Sequence, residues 1–120
     1  MEIDEFRNFC LALPEVEESM PFGPNTLVFK VHQKMFALTD LNTFDSINLK
    51  CDPDQAIELR DQFHGVRPGY HMNKKHWNTV ATREDIPPRL LKQWVLDSYH
   101  LVIQKMSRKD QERIKLKLEG

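Results

Sequence analysis

The sequence predicts an α+β domain, a two-layer sandwich in which an antiparallel sheet of about five strands is covered by helices. Three observations predict it. Segments with helical apolar spacing and segments with a period of two follow the order α-β-β-β-α-β-β-α, without the regular strand-helix alternation of a parallel sheet. The gaps between successive strands are short enough only for a meander. The chain has 120 residues, 40% hydrophobic and 29% charged, with 4 Gly and 7 Pro, which suits one packed core and excludes a disordered or collagen-like chain. Residues 1–120 are read as a single domain.

The first helix covers residues 2 to 13, with Ile3, Phe6, Cys10 and Leu13 on one face, acids in its first turn, and Pro14 forbidding continuation. Pro14 to Pro24 reads as an extended connector with at most a short edge strand. In Thr26 to His32, Leu27, Phe29 and Val31 alternate with Val28 and Lys30, and His32-Gln33 is a tight turn into a second strand, Lys34 to Thr39. Ser46 to Cys51 is a third strand, with Ile47, Leu49 and Cys51 on one side. Asp52-Pro53-Asp54-Gln55 opens a second helix. Asp52 can accept from an unpaired N–H, Pro53 fits the first helical position, and Gln55 completes the capping box. That helix presents Ala56, Leu59 and Phe63 and stops at Gly65, read as the left-handed residue of a helix end. Val66 to Thr82 reads as a hairpin whose tip lies near Asn73 to Lys75. Pro87-Pro88 opens a long third helix with Leu91, Val95, Val102 and Met106 on its stripe and Asp97, His100 and Gln104 facing water. Ser107 can cap an extension or a restart.

The N-terminus carries acids where a targeting peptide would carry Lys or Arg, and no apolar run approaches the length of a membrane span. Cys10 and Cys51 lack any Cys-x-x-Cys spacing. The expectation is a protein of the reducing cytoplasm, without membrane partner or cofactor. The sequence has no Gly-rich phosphate loop, no H-E-x-x-H and no G-x-S-x-G, so it is read as non-enzymatic, with no catalytic and no metal residues. His64, His71 and His76 are close in sequence, but they span an irregular hairpin without a nearby Cys or acid, and read as separate surface or hydrogen-bonding histidines. Glu15, Glu17 and Glu18 read as a solvated acidic connector.

Charge is segregated along the chain. The formal net charge is −1, which excludes a global basic field. Yet Gly65 to Arg83 contains no acid, while Arg67, Lys74, Lys75 and Arg83 are basic, and the first 24 residues hold six acids against Arg7 alone. Lys74-Lys75 at a hairpin tip, flanked by Asn73, His76 and Trp77, suits phosphates first and a groove or exposed base second. Against this, lysine-rich tips also keep sheet edges soluble, and a Trp in such a segment commonly belongs to a core. A second basic stretch, Lys105 to Lys117, reads as an exposed helix face.

Several blocks resemble the MmcQ/YjbR family of small bacterial proteins. They are Pro21-Phe22-Gly23, Val28-Phe29-Lys30-Val31 with Lys34-Met35-Phe36-Ala37-Leu38, and Leu49-Lys50-Cys51-Asp52-Pro53. The run from Pro68-Gly69-Tyr70-His71 to His76-Trp77-Asn78-Thr79-Val80 and the pair Ser98-Tyr99 complete the set. The resemblance runs from Phe6 to about Met106. It implies a fold similar to CyaY-like and secretion-chaperone-like domains, and a double-wing DNA-binding motif, a description that itself leans on fold analogy. The wings would be the hairpins at His32-Gln33 and Asn73 to Lys75. One departure is Gln33, where the first wing turn often has Gly, which leaves the shape of that turn open.

Three functions follow as expectations. In the first, the protein binds DNA. Arg67, Lys74 and Lys75 contact phosphates, Asn73, His76 and Asn78 probe groove or base edges, and Trp77 supplies an aromatic face. In the second, it is a protein-interaction module used as secretion chaperones are, which predicts an exposed apolar patch. In the third, it binds a small ligand around Tyr70, His71, His76 and Trp77.

Overall fold

The computed structural model describes residues 1–70 and 72–120. Its elements run α1 (Ile3–Ala12), β1 (Val16–Ser19), β2 (Thr26–Val31), β3 (Lys34–Asp40), β4 (Ser46–Lys50), α2 (Pro53–Gln62), β5 (Val66–Pro68), β6 (Trp77–Ala81), α3 (Pro88–Ile103) and α4 (Arg108–Glu119). The strands form one sheet in the order β1-β2-β3-β4-β6-β5, every pairing antiparallel. The α+β reading therefore holds, with six strands rather than five. The additional strand is β1, from the proline-flanked connector. It pairs Val16 with Val31 through Ser19 with Val28, at an edge where the flanking prolines interrupt no ladder. The restart after Ser107 is also real: its Oγ accepts from Asp110 N at 3.1 Å, and α4 follows as a separate helix.

Strand alternation divides the sheet into two unlike faces. Leu27, Phe29 and Val31 of β2, Ile47 and Leu49 of β4, and Val80 of β6 join one core with Phe6 and Cys10 of α1, Leu59 of α2, Ile114 of α4, and a stripe of α3 that includes Leu91, Val95, Tyr99 and Val102. Residues of opposite parity, Val28, Leu38 and Trp77, form a second, smaller cluster with Met35 and Met72, to which no helix contributes. Helices thus cover one face only. Among the described residues, no helix is long and apolar enough to cross a membrane.

Two buried hydroxyls fasten α3 to irregular points of the chain. The β2–β3 register shifts so that Phe29 faces Ala37 and Lys30 faces Met35, leaving Phe36 without a partner in β2. The Phe36 carbonyl accepts instead from Ser98 Oγ at 2.5 Å, and Tyr99 donates its hydroxyl to Pro14 O at 2.6 Å, where α1 turns into β1. Leaving such carbonyls unpaired in a core would be costly, which explains polar residues on the buried face of α3. Burial raises the Tyr99 hydroxyl above its ordinary pKa and keeps it a donor.

Gly65 does not take the left-handed conformation expected of it, since Gly23 is the only glycine with positive φ among the described residues. A side chain is excluded there by proximity. A Cβ would lie 2.8 Å from Asp85 Oδ1, whose carboxylate accepts from the backbone N–H groups of His64 and Gly65 at 2.8 Å each. Asp85 therefore ties the α2–β5 turn rather than opening α3, whose flanking Pro87 makes no side-chain cap.

Candidate nucleic-acid interface

The connection between β5 and β6 is tied down by backbone contacts. Gly69 N donates to Trp77 O at 2.9 Å, and a Cβ on Gly69 would lie 2.8 Å from Trp77 Cβ, so only glycine permits this approach. Asn73 Oδ1 accepts from Lys75 N at 2.9 Å, and Asn73 O accepts from His76 N at 3.2 Å, which makes the lysine pair part of a turn. Arg60 of α2 reaches across. Its Nε donates to Asn78 Oδ1 at 2.7 Å, and its Nη2 donates to Lys74 O and, at 3.3 Å, to Trp77 O. This clamp was invisible as a motif, because the partners lie 14 to 18 residues away and two of the three acceptors are backbone oxygens.

The nominated residues consequently divide. Trp77 is 8% exposed and belongs to the helix-free cluster with Val28 and Leu38, so it presents no stacking surface. Asn78 is 2% exposed, with Oδ1 on Arg60 and Nδ2 donating to Ala56 O at 3.3 Å, so its amide is consumed by the fold rather than turned to a base edge. Arg67 is exposed but lies 3.3 Å from the Glu84 carboxylate. Lys74 folds back to donate from Nζ to Gly69 O at 3.1 Å. Asn73 and Lys75 are exposed and His76 is half-buried, and all three remain at the surface of the tip. Of the three histidines close in sequence, His64 is exposed and 4.0 Å from Glu84, whereas His71 lies outside the described residues.

Much of the segregated charge is cancelled across the fold. Arg7 grips Glu18 through two nitrogens at 2.7 and 2.5 Å, Lys92 meets Glu5 at 2.7 Å, and Arg83 meets Glu2 at 3.4 Å. Glu15, read as solvated, is a hub instead. It accepts from Arg113 at 2.7 and 2.8 Å and from Lys117 at 2.9 Å, and contacts His32 at 2.6 Å. Those bonds, Arg113 first, then His32 and Lys117, hold its carboxyl well below the ordinary range against the opposing effect of burial.

Several lysines without an ion pair among the described residues lie at one end of the sheet. His32 and Gln33 both have positive φ, 49° and 68°, which makes the β2–β3 connection a two-residue turn of the mirror-image type despite the missing glycine. The sheet register carries the Lys34 end of β3, the Lys50 end of β4 and the Trp77 end of β6 to the same side, where Cys51 N donates to His76 O at 2.7 Å. Both hairpin turns therefore leave this end. Between them and the end of α3, Lys34, Lys50, Lys105 and His32 line a groove of about 430 Å³ with Val102, Met106 and Asp110. Among the described residues, Lys34, Lys50, Lys75 and Lys105 make no ion pair. In sequence the groove's lysines are far apart: Lys34 and Lys50 each stand at a strand end beside a turn, and Lys105 opens the basic stretch that runs to Lys117.

Two further concavities are present. Phe22 and Tyr70, 61% and 68% exposed, flank a groove of about 580 Å³ on the helix-free face, floored by Thr26, Leu38, Ser46 and Asn48. The small-ligand reading had combined Tyr70 with Trp77, which this groove does not include. A cleft of about 390 Å³ between α2 and α3 has Leu49, Leu59, Val80 and Trp94 as its floor, and Asp97, His100 and Gln104, expected to face only water, along its rim.

Comparison with known proteins agrees with the blocks in the sequence. The YjbR family model matches residues 11–101. The chain is 40% identical over 110 residues to the uncharacterized protein YbdF of Escherichia coli O157:H7, covering 91% of this chain and 90% of that one. It is 32% identical over 104 residues to the uncharacterized protein YjbR of Escherichia coli K12, covering 86% and 88%. Among solved structures, Deinococcus radiodurans DR2400, of the DUF419 family, superposes with a TM-score of 0.87 at 38% identity over 94% of this chain and 87% of that one. A Pseudomonas syringae protein superposes with a TM-score of 0.72 at 26% identity over 84% and 98%. The chain belongs to the YjbR family.

Proposed function

We propose that this YjbR-family protein binds DNA, without catalysis, through the end of its sheet from which both hairpin turns project. The observation that carries the reading is the convergence of unpaired lysines from separate elements, Lys34, Lys50, Lys75 and Lys105, on the side of the two turns. Charges that the fold leaves uncancelled at one end of a nearly neutral protein are what a local polyanion site requires. Phosphate contact is assigned to Lys34 and Lys75, with Lys74 and Asn73 shaping the tip. Arg67, Trp77 and Asn78 act indirectly, by holding the strands that present it.

Anisotropy titration of labelled duplex and single-stranded DNA at two salt concentrations tests this. Two neutralised phosphates, one each at Lys34 and Lys75, contribute about −1.8 to the log-log salt slope. Lys34→Ala/Lys75→Ala is expected to weaken binding and flatten that slope, and absence of binding at low salt and tens of micromolar protein, by order of magnitude for non-specific affinity, would refute the proposal.

A second reading, a protein-interaction module, is favoured by the exposed Phe22 and Tyr70 around the helix-free face. It expects concentration-dependent association in sedimentation, lost in Phe22→Ser/Tyr70→Ser, and little effect of the lysine variants.

A further inference from the structure

The groove bounded by Lys34, Lys50 and Lys105 has a feature that DNA binding by exposed wings does not need. Lys50 is not a surface lysine of the ordinary kind. Its residue is half-buried at the end of β4, and its amine is depressed below the usual lysine pKa, first by burial and then by the charges of Lys105 and Lys34. The exposed ammonium groups of Lys34, at the start of β3, and Lys105, in the turn after α3, are thus held close enough to half-buried Lys50 to repel it. Folding gains nothing from that repulsion, which half-buried Lys50 feels with less screening than a fully exposed lysine would.

The acids nearby do not relieve it. Asp110 is the only carboxylate lining the groove among the described residues, and its Oδ1 accepts from Arg113 Nη1 at 2.6 Å. Glu15, which contacts the fourth basic group, His32, is itself engaged by Arg113 and Lys117. The apolar wall, Val102 and Met106, strengthens any charge-assisted contact by excluding water. A groove of cations whose lining carboxylate is already engaged by Arg113 has room for a compact anion from outside the chain.

We infer that the groove between Lys34, Lys50 and Lys105 is a binding site for one phosphate monoester group, seated among the three ammonium groups beside His32. A tetrahedral dianion presents several acceptor oxygens to donors converging from three elements, and lysines bind phosphate as point charges without planar geometry. The same chemistry is offered by a small phosphomonoester and by the 5′-phosphate end of a nucleic acid. The inference does not rest on the wings binding duplex DNA, because a single enclosed phosphate group is recognised without a neighbouring helix.

The test titrates inorganic phosphate into the intact protein at pH 7.5 and constant ionic strength, with chloride as the reference anion, following the melting temperature and the lysine side-chain NMR signals. A saturable rise in melting temperature beyond that of chloride is expected, with the Lys50 Cε and Hε signals among those that move most. Lys50→Met, which keeps most of the apolar stem, is expected to weaken phosphate binding by at least about tenfold, whereas Lys75→Ala leaves it unchanged. The wild-type NMR titration needs no variant, so a misfolded mutant does not shield the inference. A phosphate effect equal to that of chloride, or one that survives in folded Lys50→Met, would overturn it. A short oligonucleotide with and without a 5′-phosphate distinguishes the sources. Tighter binding of the phosphorylated form, competed by inorganic phosphate, supports the site and assigns a nucleic-acid end. Equal binding of the two forms beside saturable inorganic phosphate supports the site and assigns a small phosphomonoester. The two proposals fail separately, since Lys75→Ala alone is expected to weaken duplex binding while leaving phosphate saturation intact, and Lys50→Met to abolish phosphate saturation.

Discussion

Replacing Arg60 by methionine removes the clamp on the β5–β6 hairpin while conserving most of the side chain's apolar length, and the structure determines which of the lost bonds matters. Lys74 is exposed, so its released carbonyl takes a water at little net cost. Trp77 O keeps its bond from Gly69 N at 2.9 Å. Asn78 Oδ1 is different. Asn78 is 2% exposed, its Nδ2 is fixed on Ala56 O, and no other donor bonds Oδ1 among the described residues. A buried acceptor left without its charged donor costs about 1–3 kcal/mol, so Arg60→Met is expected to destabilise the fold by about 2 kcal/mol. For a chain of this length that corresponds to a fall in melting temperature of about 8 °C. Urea denaturation measures it, and hydrogen exchange locates it. The amides of His76 and Gly69, bonded within the hairpin, are expected to lose protection before those of β2 and β3. A cycle with Asn78→Leu is the decisive control, because removing the acceptor removes the penalty of losing its donor, and the two changes should couple by about 1 kcal/mol. A loss below about 0.5 kcal/mol for Arg60→Met, or strict additivity in the cycle, would refute the reasoning and return Arg60 to the class of surface residues.

Two other consequences are open to direct measurement. Gln33 occupies a left-handed position that favours glycine, with φ of 68°, so Gln33→Gly is expected to stabilise the protein by about 0.5–1 kcal/mol net of the added freedom of the unfolded chain, read as a rise in urea midpoint. The carboxyls of Glu5, Glu15 and Glu18 are all held below their ordinary values, mainly by bonds from Lys92, from Arg113 with His32 and Lys117, and from Arg7 respectively. The unfolded chain, whose glutamates titrate near 4.3, therefore takes up protons first as the pH drops, so this stabilisation is complete above about pH 5 and declines as the pH falls through the folded values. Melting temperature is expected to be flat from pH 7 to about pH 5 and to drop below it, with Glu15→Gln giving a lower plateau and a shallower acid slope.

The parts of this molecule legible in the sequence are those in which one segment determines its own state. The Asp52 cap forms, with Oδ2 accepting from Gln55 N at 3.3 Å, though among the described residues no Gln55 side-chain bond closes the capping box, and period-two alternation separates Leu27, Phe29 and Val31 from Val28 and Lys30. β1 was read only as a possible edge strand because Val16–Ser19 carries two glutamates, and what makes it a strand is the edge of β2 that it completes. Gly65 stands at the turn the sequence indicates, but what requires glycine there is Asp85, 20 residues away, not a left-handed backbone.

The candidate site fails the same test of locality, and its failure is informative. Contiguous charge led to Arg67, Lys74 and Lys75, yet a run of bases is where folding most readily supplies partners. Glu84 meets Arg67, and the hairpin's own carbonyl meets Lys74. The unpaired lysines of the groove, Lys34, Lys50 and Lys105, lie 16 and 55 positions apart in sequence and are brought together only by the β3–β4 register and the packing of α3. An electrostatic site in a near-neutral domain is defined by which charges the fold leaves over rather than by where charges are dense. By that criterion Lys50, with half its residue buried and two like charges beside it, is the position at which a single substitution separates a chain that binds an anion from one that merely tolerates its own lysines.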